Sequence, residues 1–202
     1  KVNFITGNIF EDHERFLKKH NVDYQKLLLE SENPPLKNSF NIEKAILASK
    51  KKVLLFSHSK GGLDAWEAIK RNPSLLSKIK GWATVQTPFH GSAVAEFFDS
   101  YKPTQNLSKW LFQFLGGNLG GFQSLSINIR EPYMKKLENQ TLTKTINKRI
   151  NFINFASIRP DTRGWDSPLE LFRDYAYFKK GDNDGVVHIE SALLPGVNFI
   201  IE

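Results

Sequence analysis

The stretch that most constrains the fold of this chain is residues 53–66, VLLFSHSKGGLDAW. Four apolar residues run into a cluster of small ones, and apolar positions then recur at helical spacing from Leu63 onward. This pattern predicts a strand, a sharp turn and a helix, with Ser59 at the turn. Because a residue at such a corner has strained backbone geometry, its neighbours two positions away must be small. Ser57 and Gly61 occupy those positions.

The rest of the chain predicts alternating strands and helices. The predicted strands are 2–5, 24–29, 79–85, 150–155 and 197–201, and the predicted helices are 11–20, 42–49 and 130–137. This alternation is typical of a mostly parallel central sheet with helices on both faces. A chain of 202 residues is long enough to bury the core of one such domain, and no linker or internal repeat divides it. We therefore predict a single α/β domain over residues 1–202.

Composition narrows the chemistry. The chain has no cysteine, which excludes a disulfide framework and thiolate catalysis. No cluster of His, Asp and Glu has the spacing of metal ligands, so we predict no metal and no cofactor. The net charge of +7 is spread over short lysine runs, without the interleaved aromatic residues of a nucleic-acid-binding surface. Contact with an anionic lipid surface would suit this charge better.

Three short sequence words stand far apart in the chain: SHSKGG at 57–62, TPFHGS at 87–92 and NDGVV at 183–187. The first resembles the G-H-S-x-G-G nucleophile elbow of microbial lipases and esterases, with Ser57 in place of the first glycine. The second resembles their T-P-x-x-G-[ST], and the third their N-D-G-L-V. The words keep the family's order, so the chain resembles the α/β-hydrolase superfamily over nearly its whole length.

This resemblance implies an α/β-hydrolase fold and roles for four residues. Ser59 would be the nucleophile and Asp184 the catalytic acid. The backbone N–H groups of Lys60 and Asn8 would bind the oxyanion, because the family's first strand ends in H-G-x and this chain has TGN at 6–8. The residues themselves leave plainer alternatives open. N-D-G would equally form an Asx turn, and the glycine before Asn8 an ordinary turn.

The general base is missing from its expected place. In the family a His follows the last strand, and here the sequence reaches Glu202 at that strand's end. Our first expectation is that the protein continues past Glu202, with this His in the next loop. One alternative is that His188, four residues after the acid, takes its place, and another is a degenerate site. His90 is expected to be a hydrogen-bonded loop residue, because the family's base follows a later strand.

Residues 107–122 depart from the alternation of strands and helices. An apolar stripe within 110–115 predicts a short helix, and glycine pairs follow at 116–117 and 120–121. In the fold of the family an insertion here forms a cap or lid. We therefore predict a small helical cap over about 100–148, with the glycine pairs as hinges. The alternative is a helix packed on the core.

Together these features predict a serine hydrolase of carboxylic esters, similar to lipases and esterases, that forms an acyl-enzyme on Ser59. Its partners would be an ester or lipid substrate and a lipid surface, and no nucleic acid. Three alternatives stay open: acyl transfer to an alcohol, a non-catalytic protein that binds lipid or acyl chains in the same pocket, and a basic peripheral module for anionic membranes. The sequence leaves the cellular compartment open.

Overall fold

A four-stranded parallel sheet forms the centre of the computed structural model, which describes residues 10–30, 33–100, 124–161 and 168–202. The strands are β1 (Val53–His58), β2 (Ile79–Val85), β3 (Asn151–Ser157) and β4 (Val197–Ile201). They pair in parallel and in chain order. All four strands therefore end along one edge of the sheet, here called the carboxyl edge, and begin along the opposite amino edge.

Helices separate the strands, as expected for parallel neighbours that need crossover connections. They are α1 (Glu11–Lys19), α2 (Pro35–Ala48), α3 (Lys60–Arg71), α4 (Ala93–Ser100), α5 (Ile127–Lys135), α6 (Leu137–Arg149), α7 (Pro168–Lys180) and α8 (Ile189–Ala192), with a 3-10 turn at Pro73–Ser77. The architecture confirms the predicted α/β fold class. None of the helices in the described ranges is long and apolar enough to cross a membrane.

The core is centred on aromatic rings on one face of the sheet. Trp82 of β2 lies 5.0 Å from Phe152 of β3 and 6.3 Å from Phe89, measured between ring centroids. Trp66 of α3 packs against Phe89 at 5.8 Å. On the opposite face, α1 covers part of β1, where the rings of His13 and Phe56 are 5.7 Å apart.

The predicted strands 79–85 and 197–201 are confirmed with their bounds, but the strand predicted at 24–29 is wrong. That segment has no regular structure. Its apolar positions Leu27 and Leu29 pack against the core, and Lys26 pairs with Glu14 of α1 at 2.6 Å. The apolar run therefore reflects partial burial of an irregular segment.

Helix bounds differ from prediction where proline occurs. α2 begins at Pro35, seven residues before the predicted start, because proline is compatible with the first turn of a helix. The helix predicted at 130–137 is instead the end of α5 and the start of α6, with Pro132 inside α5. The predicted strand 2–5 and the apolar stripe of the predicted cap lie outside the described residues.

Candidate active site

Ser59 lies in the turn between β1 and α3, where its backbone angles are φ 51° and ψ −131°. A positive φ at a residue other than glycine costs on the order of 1–3 kcal/mol. Two backbone hydrogen bonds hold the turn: the Ser59 N–H donates to Val85 O at 2.8 Å, and the Gly62 N–H donates to Ser59 O at 3.0 Å. The predicted strand, turn and helix are confirmed, and the half-buried Ser59 is held in a strained conformation at the carboxyl edge.

The small residues around Ser59 have different reasons to be small. The Ser57 hydroxyl is buried and accepts a hydrogen bond from Trp82 Nε1 at 2.9 Å. A Cβ at Gly62 would lie 2.0 Å from Thr87 Oγ1, whereas a Cβ at Gly61 would meet no atom within 4 Å. The close approach of α3 to the next loop therefore requires Gly62, and not Gly61 as the elbow spacing predicts.

Asp184 lies in the loop between α7 and α8. Its Oδ1 accepts hydrogen bonds from the backbone N–H groups of Val186, at 2.8 Å, and Val187, at 2.7 Å. Burial raises the pKa of the Asp184 carboxyl, and hydrogen bonds from these two N–H groups and from the Gln86 side chain oppose that rise. The Asx turn that N-D-G favours is present, and both of these backbone donors bond to Oδ1, which leaves Oδ2 to other partners.

The second sequence word anchors this acidic loop. Ser92 Oγ donates to Val186 O at 2.6 Å, and the Phe89 N–H donates to Ser191 O at 3.0 Å. From the other side, the Arg159 N–H, just after β3, donates to Asn183 O at 2.8 Å. The structure therefore brings the loop that follows β2, the end of β3 and the Asp184 loop together at the carboxyl edge.

Gln86 is a further buried polar residue at the carboxyl edge. It follows β2 directly, next to Ser59 at the end of β1, and its side chain helps to lower the pKa of Asp184. It is 6% exposed, has φ 48°, and its Nε2 donates to Ser157 O at 3.1 Å and to Ser157 Oγ at 3.0 Å. No sequence pattern pointed to Gln86, because neither its φ nor its position between two loops leaves a local signal.

Lys60, the first residue of α3, has a backbone N–H and a side chain with different roles. None of the hydrogen bonds among the described residues uses the Lys60 N–H. This group lies at the amino end of α3, which is the positive end of the helix dipole. Its ammonium pairs with Asp64 Oδ1 at 2.9 Å, and Asn38 Nδ2 donates to Asp64 Oδ2 at 2.9 Å. Burial raises the pKa of Asp64, and Lys60 opposes that rise. The i, i+4 spacing of this pair on a predicted helix was the signal that could have found it.

His188, the in-chain alternative for the base, is a buried residue next to α8. It is 2% exposed, directly precedes α8, and burial lowers its pKa to about 4, so the ring is neutral at pH 7. The charged and titratable groups that act on it are Lys180, Glu131 and His90. Its Nδ1 has no hydrogen-bond partner in the described part of the chain. A neutral, buried imidazole with one nitrogen unpartnered in these ranges is what the structure shows at this position.

The remaining predicted features divide between described and undescribed residues. Burial lowers the pKa of His90 and of His58, and the His58 ring packs edge-on against Phe10 at 5.9 Å. No hydrogen bond joins a His to Ser59 or Asp184 among the residues that the structure describes. Within the same ranges, no three His, Asp or Glu side chains group as metal ligands would. Asn8, the second predicted oxyanion donor, lies outside those ranges.

Comparisons with known proteins rest on structure, because no protein-family model and no curated protein matches the chain. Lipase BlEst2 of Bacillus licheniformis, in its mature form, is similar with a TM-score of 0.71 at 21% identity, over 98% of this chain and 76% of the lipase. The metagenomic carboxyl esterase MGS0156 has a TM-score of 0.69 at 16% identity, over 95% and 56%. Phospholipase PlaB of Legionella pneumophila has a TM-score of 0.57 at 14% identity, over 96% and 43%.

These likenesses define the class to which the fold belongs. The chain has an α/β-hydrolase-like fold, shared with a lipase, an esterase and a phospholipase. At identities of 21% and below, the likeness establishes the fold and not the chemistry. The chain spans 42% of the BlEst2 propeptide form and 56% of the esterase, so it corresponds to part of those proteins.

Proposed function

We propose that this chain carries the catalytic site of a serine hydrolase of carboxylic esters, with an acyl-enzyme formed on Ser59. The observation that carries the proposal is the backbone of Ser59, at φ 51° in a strand-to-helix turn. A strained residue persists only where its surroundings enforce it, and such residues cluster at active sites. The likeness in fold to a lipase, an esterase and a phospholipase favours an ester or lipid substrate.

In the proposed reaction, Ser59 Oγ attacks the ester carbonyl carbon while a histidine takes its proton. The tetrahedral oxyanion accepts hydrogen bonds from the Lys60 N–H, at the positive end of α3, and from the Asn8 N–H. The histidine then protonates the leaving alcohol, and water hydrolyses the acyl-enzyme by the same steps. Asp184 accepts the other N–H of the imidazole and stabilises the imidazolium that forms.

The end of β4 favours a base that follows this strand. Ile201, the last residue of β4, accepts a hydrogen bond from the Ile158 N–H at 2.9 Å. Arg159, which follows Ile158, donates its N–H to Asn183 O in the Asp184 loop. The carboxyl end of β4 therefore lies beside the Asp184 loop. A histidine after β4, where the family's chain order places it, would arrive next to the acid, whereas His188 lies among other charged groups.

Labelling with a fluorophosphonate tests this proposal, because the probe phosphonylates only a serine that a base activates. We expect stoichiometric modification of Ser59, located by peptide mass spectrometry, in the longest natural form of the protein. Ser59→Ala should abolish labelling, and Ser77→Ala, at an exposed serine of the 3-10 turn, should not. An unlabelled, folded protein that still binds fatty acid would instead support the non-catalytic alternative.

A further inference from the structure

The amino edge of the sheet carries a cluster of eight basic side chains, here called the basic edge. Three precede β1, two flank the start of β2, and three lie in the last turns of α6 before β3. They are Lys50, Lys51, Lys52, Lys78, Lys80, Lys144, Lys148 and Arg149. All are exposed except the half-buried Lys78, whose Nζ caps α2 by donating to Leu47 O and Ser49 O, both at 2.8 Å.

The strand register brings these segments side by side. The Val53 N–H donates to Lys78 O at 2.8 Å, and Val53 pairs with Ile79. Gly81 in turn pairs with Asn151, two residues after Arg149. Neighbouring strands are about 4.8 Å apart, so the three segments form one continuous surface.

The basic edge contains no compensating acid. Segments 49–53, 77–81 and 144–151 hold no Asp or Glu, and none of the eight cations pairs with a carboxylate of the described residues. The chain has 28 Lys and Arg and 21 Asp and Glu, so the 20 cations elsewhere are balanced by the acids. The eight cations of the basic edge therefore account for the net charge of +7 of the chain.

Helix stabilisation explains only a small part of this charge. The carboxyl ends of α2 and α6 both point to the amino edge, and each offers about −0.5 charge to nearby cations. Two helix ends therefore offset about one of the eight positive charges. The other charges have no partner of opposite sign among the described residues, so their summed field would attract an external anion.

We propose that the basic edge binds the headgroups of an anionic phospholipid bilayer. Seven of the eight cations are lysines, and the three segments contain no Phe, Trp or Tyr. Specific protein interfaces are depleted in lysine and depend on aromatic and arginine anchors, and single-stranded nucleic acid stacks on aromatic side chains. An extended lysine-rich surface without such anchors suits a diffuse layer of lipid phosphates.

This surface orients the molecule. The strand β1 runs from the basic edge to Ser59, a distance of about 20 Å at 3.3 Å per residue. A protein bound through the basic edge would therefore hold its candidate active site away from the bilayer, open to water. The contact is independent of the proposed hydrolysis, because it uses none of the residues of that site.

Sedimentation with vesicles tests the proposal. We expect the full protein to bind vesicles of phosphatidylcholine with 30% phosphatidylglycerol at 50 mM NaCl, and to dissociate at 500 mM. The triple variant Lys50→Gln/Lys51→Gln/Lys52→Gln should bind about 100-fold more weakly, since each lysine near an anionic surface contributes a factor of about five. Ser59→Ala should bind as the natural sequence does, which separates this result from the test of hydrolysis.

A matched triple variant controls for net charge. Lys18→Gln/Lys19→Gln/Lys37→Gln removes three exposed lysines from α1 and α2 and should bind within about threefold of the natural sequence. Equal losses in the two triple variants, or equal binding to pure phosphatidylcholine, would overturn the proposal. So would tighter binding to duplex DNA than to the vesicles at 150 mM NaCl, which would assign the basic edge to nucleic acid.

Discussion

Asp64 and Asp184 are two carboxylates whose pKa is raised by burial, yet their partners differ. Asp64 is 2% exposed, and its two oxygens are taken by the Lys60 ammonium and the Asn38 amide. Asp184 has no ion pair among the described residues. Its Oδ1 accepts two backbone N–H groups, and the Gln86 side chain also helps to lower its pKa.

The difference separates a carboxylate with a fixed cation from the one that we propose as the catalytic acid. Both oxygens of Asp64 have fixed partners, which hold α2 and α3 together. Asp184 has no neighbouring cation in the described part of the chain, and its Oδ2 is clear of the Val186 and Val187 donors, as an acid that orients an imidazolium requires. The predictions below test this division, starting from the largest expected effect.

Asp184→Asn should lower kcat by about 10⁴-fold, because the amide cannot stabilise the imidazolium or hold the correct tautomer. The amide oxygen can still accept the Val186 and Val187 N–H groups, so the free energy of unfolding should change by less than about 1 kcal/mol. Hydrolysis of p-nitrophenyl butyrate and thermal unfolding measure the two effects.

Two other carboxylates serve as references for this prediction. Asp182→Asn, at an exposed position two residues away, should leave kcat unchanged, and Asp64→Asn should lower it less than tenfold at temperatures well below unfolding. If Asp64→Asn lowered kcat as much as Asp184→Asn, the two carboxylates would not have the different roles that we propose.

Lys60→Met should lower the free energy of unfolding at pH 7 by about 3 kcal/mol, because it leaves the buried Asp64 carboxylate without its cation. The backbone N–H of residue 60 remains available to the oxyanion, so kcat should change little at temperatures where the variant is folded. Burial already raises the folded pKa of Asp64, and removing Lys60 raises it further. An acid with a raised folded pKa binds more protons folded than unfolded, so stability falls as pH rises through that window.

The destabilisation by Lys60→Met should therefore be smaller at pH 4 than at pH 7, as measured by urea unfolding at the two pH values. The double variant Lys60→Met/Asp64→Leu should regain most of the lost stability, since a buried ion pair can be replaced by apolar groups of similar volume. A loss that is the same at both pH values would show that Asp64 does not carry the effect.

The sequence predicted the parts of the site that depend on local pattern. An apolar run followed by small residues specified β1, the turn and α3, and the strands at 79–85 and 197–201 followed from similar runs. The anchoring of the acidic loop could not be predicted. Its bonds, such as that from Ser92 to Val186, join residues 94 positions apart and leave no periodic signal.

Two failures have the same physical origin. The apolar run at the end of 24–29 packs on the core instead of joining a strand ladder, and α7 was missed although it carries Phe172 and Ala176 into the core. In both segments tertiary burial decides the local conformation. The role of Gly62 was likewise hidden, since the contact with Thr87 comes from a loop 25 positions later.

Gln86→Met should have the smallest effect and the most specific one. Methionine keeps the volume but removes the amide that donates to Ser157 and helps to lower the pKa of Asp184, so that pKa should rise. A hydrogen bond to a charged group is worth about 1.5 kcal/mol, which corresponds to about a tenfold loss of kcat/KM. Because the acid would stay protonated to higher pH, the acid limb of the activity profile should move up in pH.

Titration of the Asp184 carboxyl by ¹³C NMR measures the cause directly. Ser157→Ala removes one hydrogen-bond partner of Gln86 but keeps the Gln86 amide, and should leave that titration in place. If Gln86→Met leaves it in place as well, the backbone N–H groups alone hold Asp184, and the two carboxylates differ only in their cation.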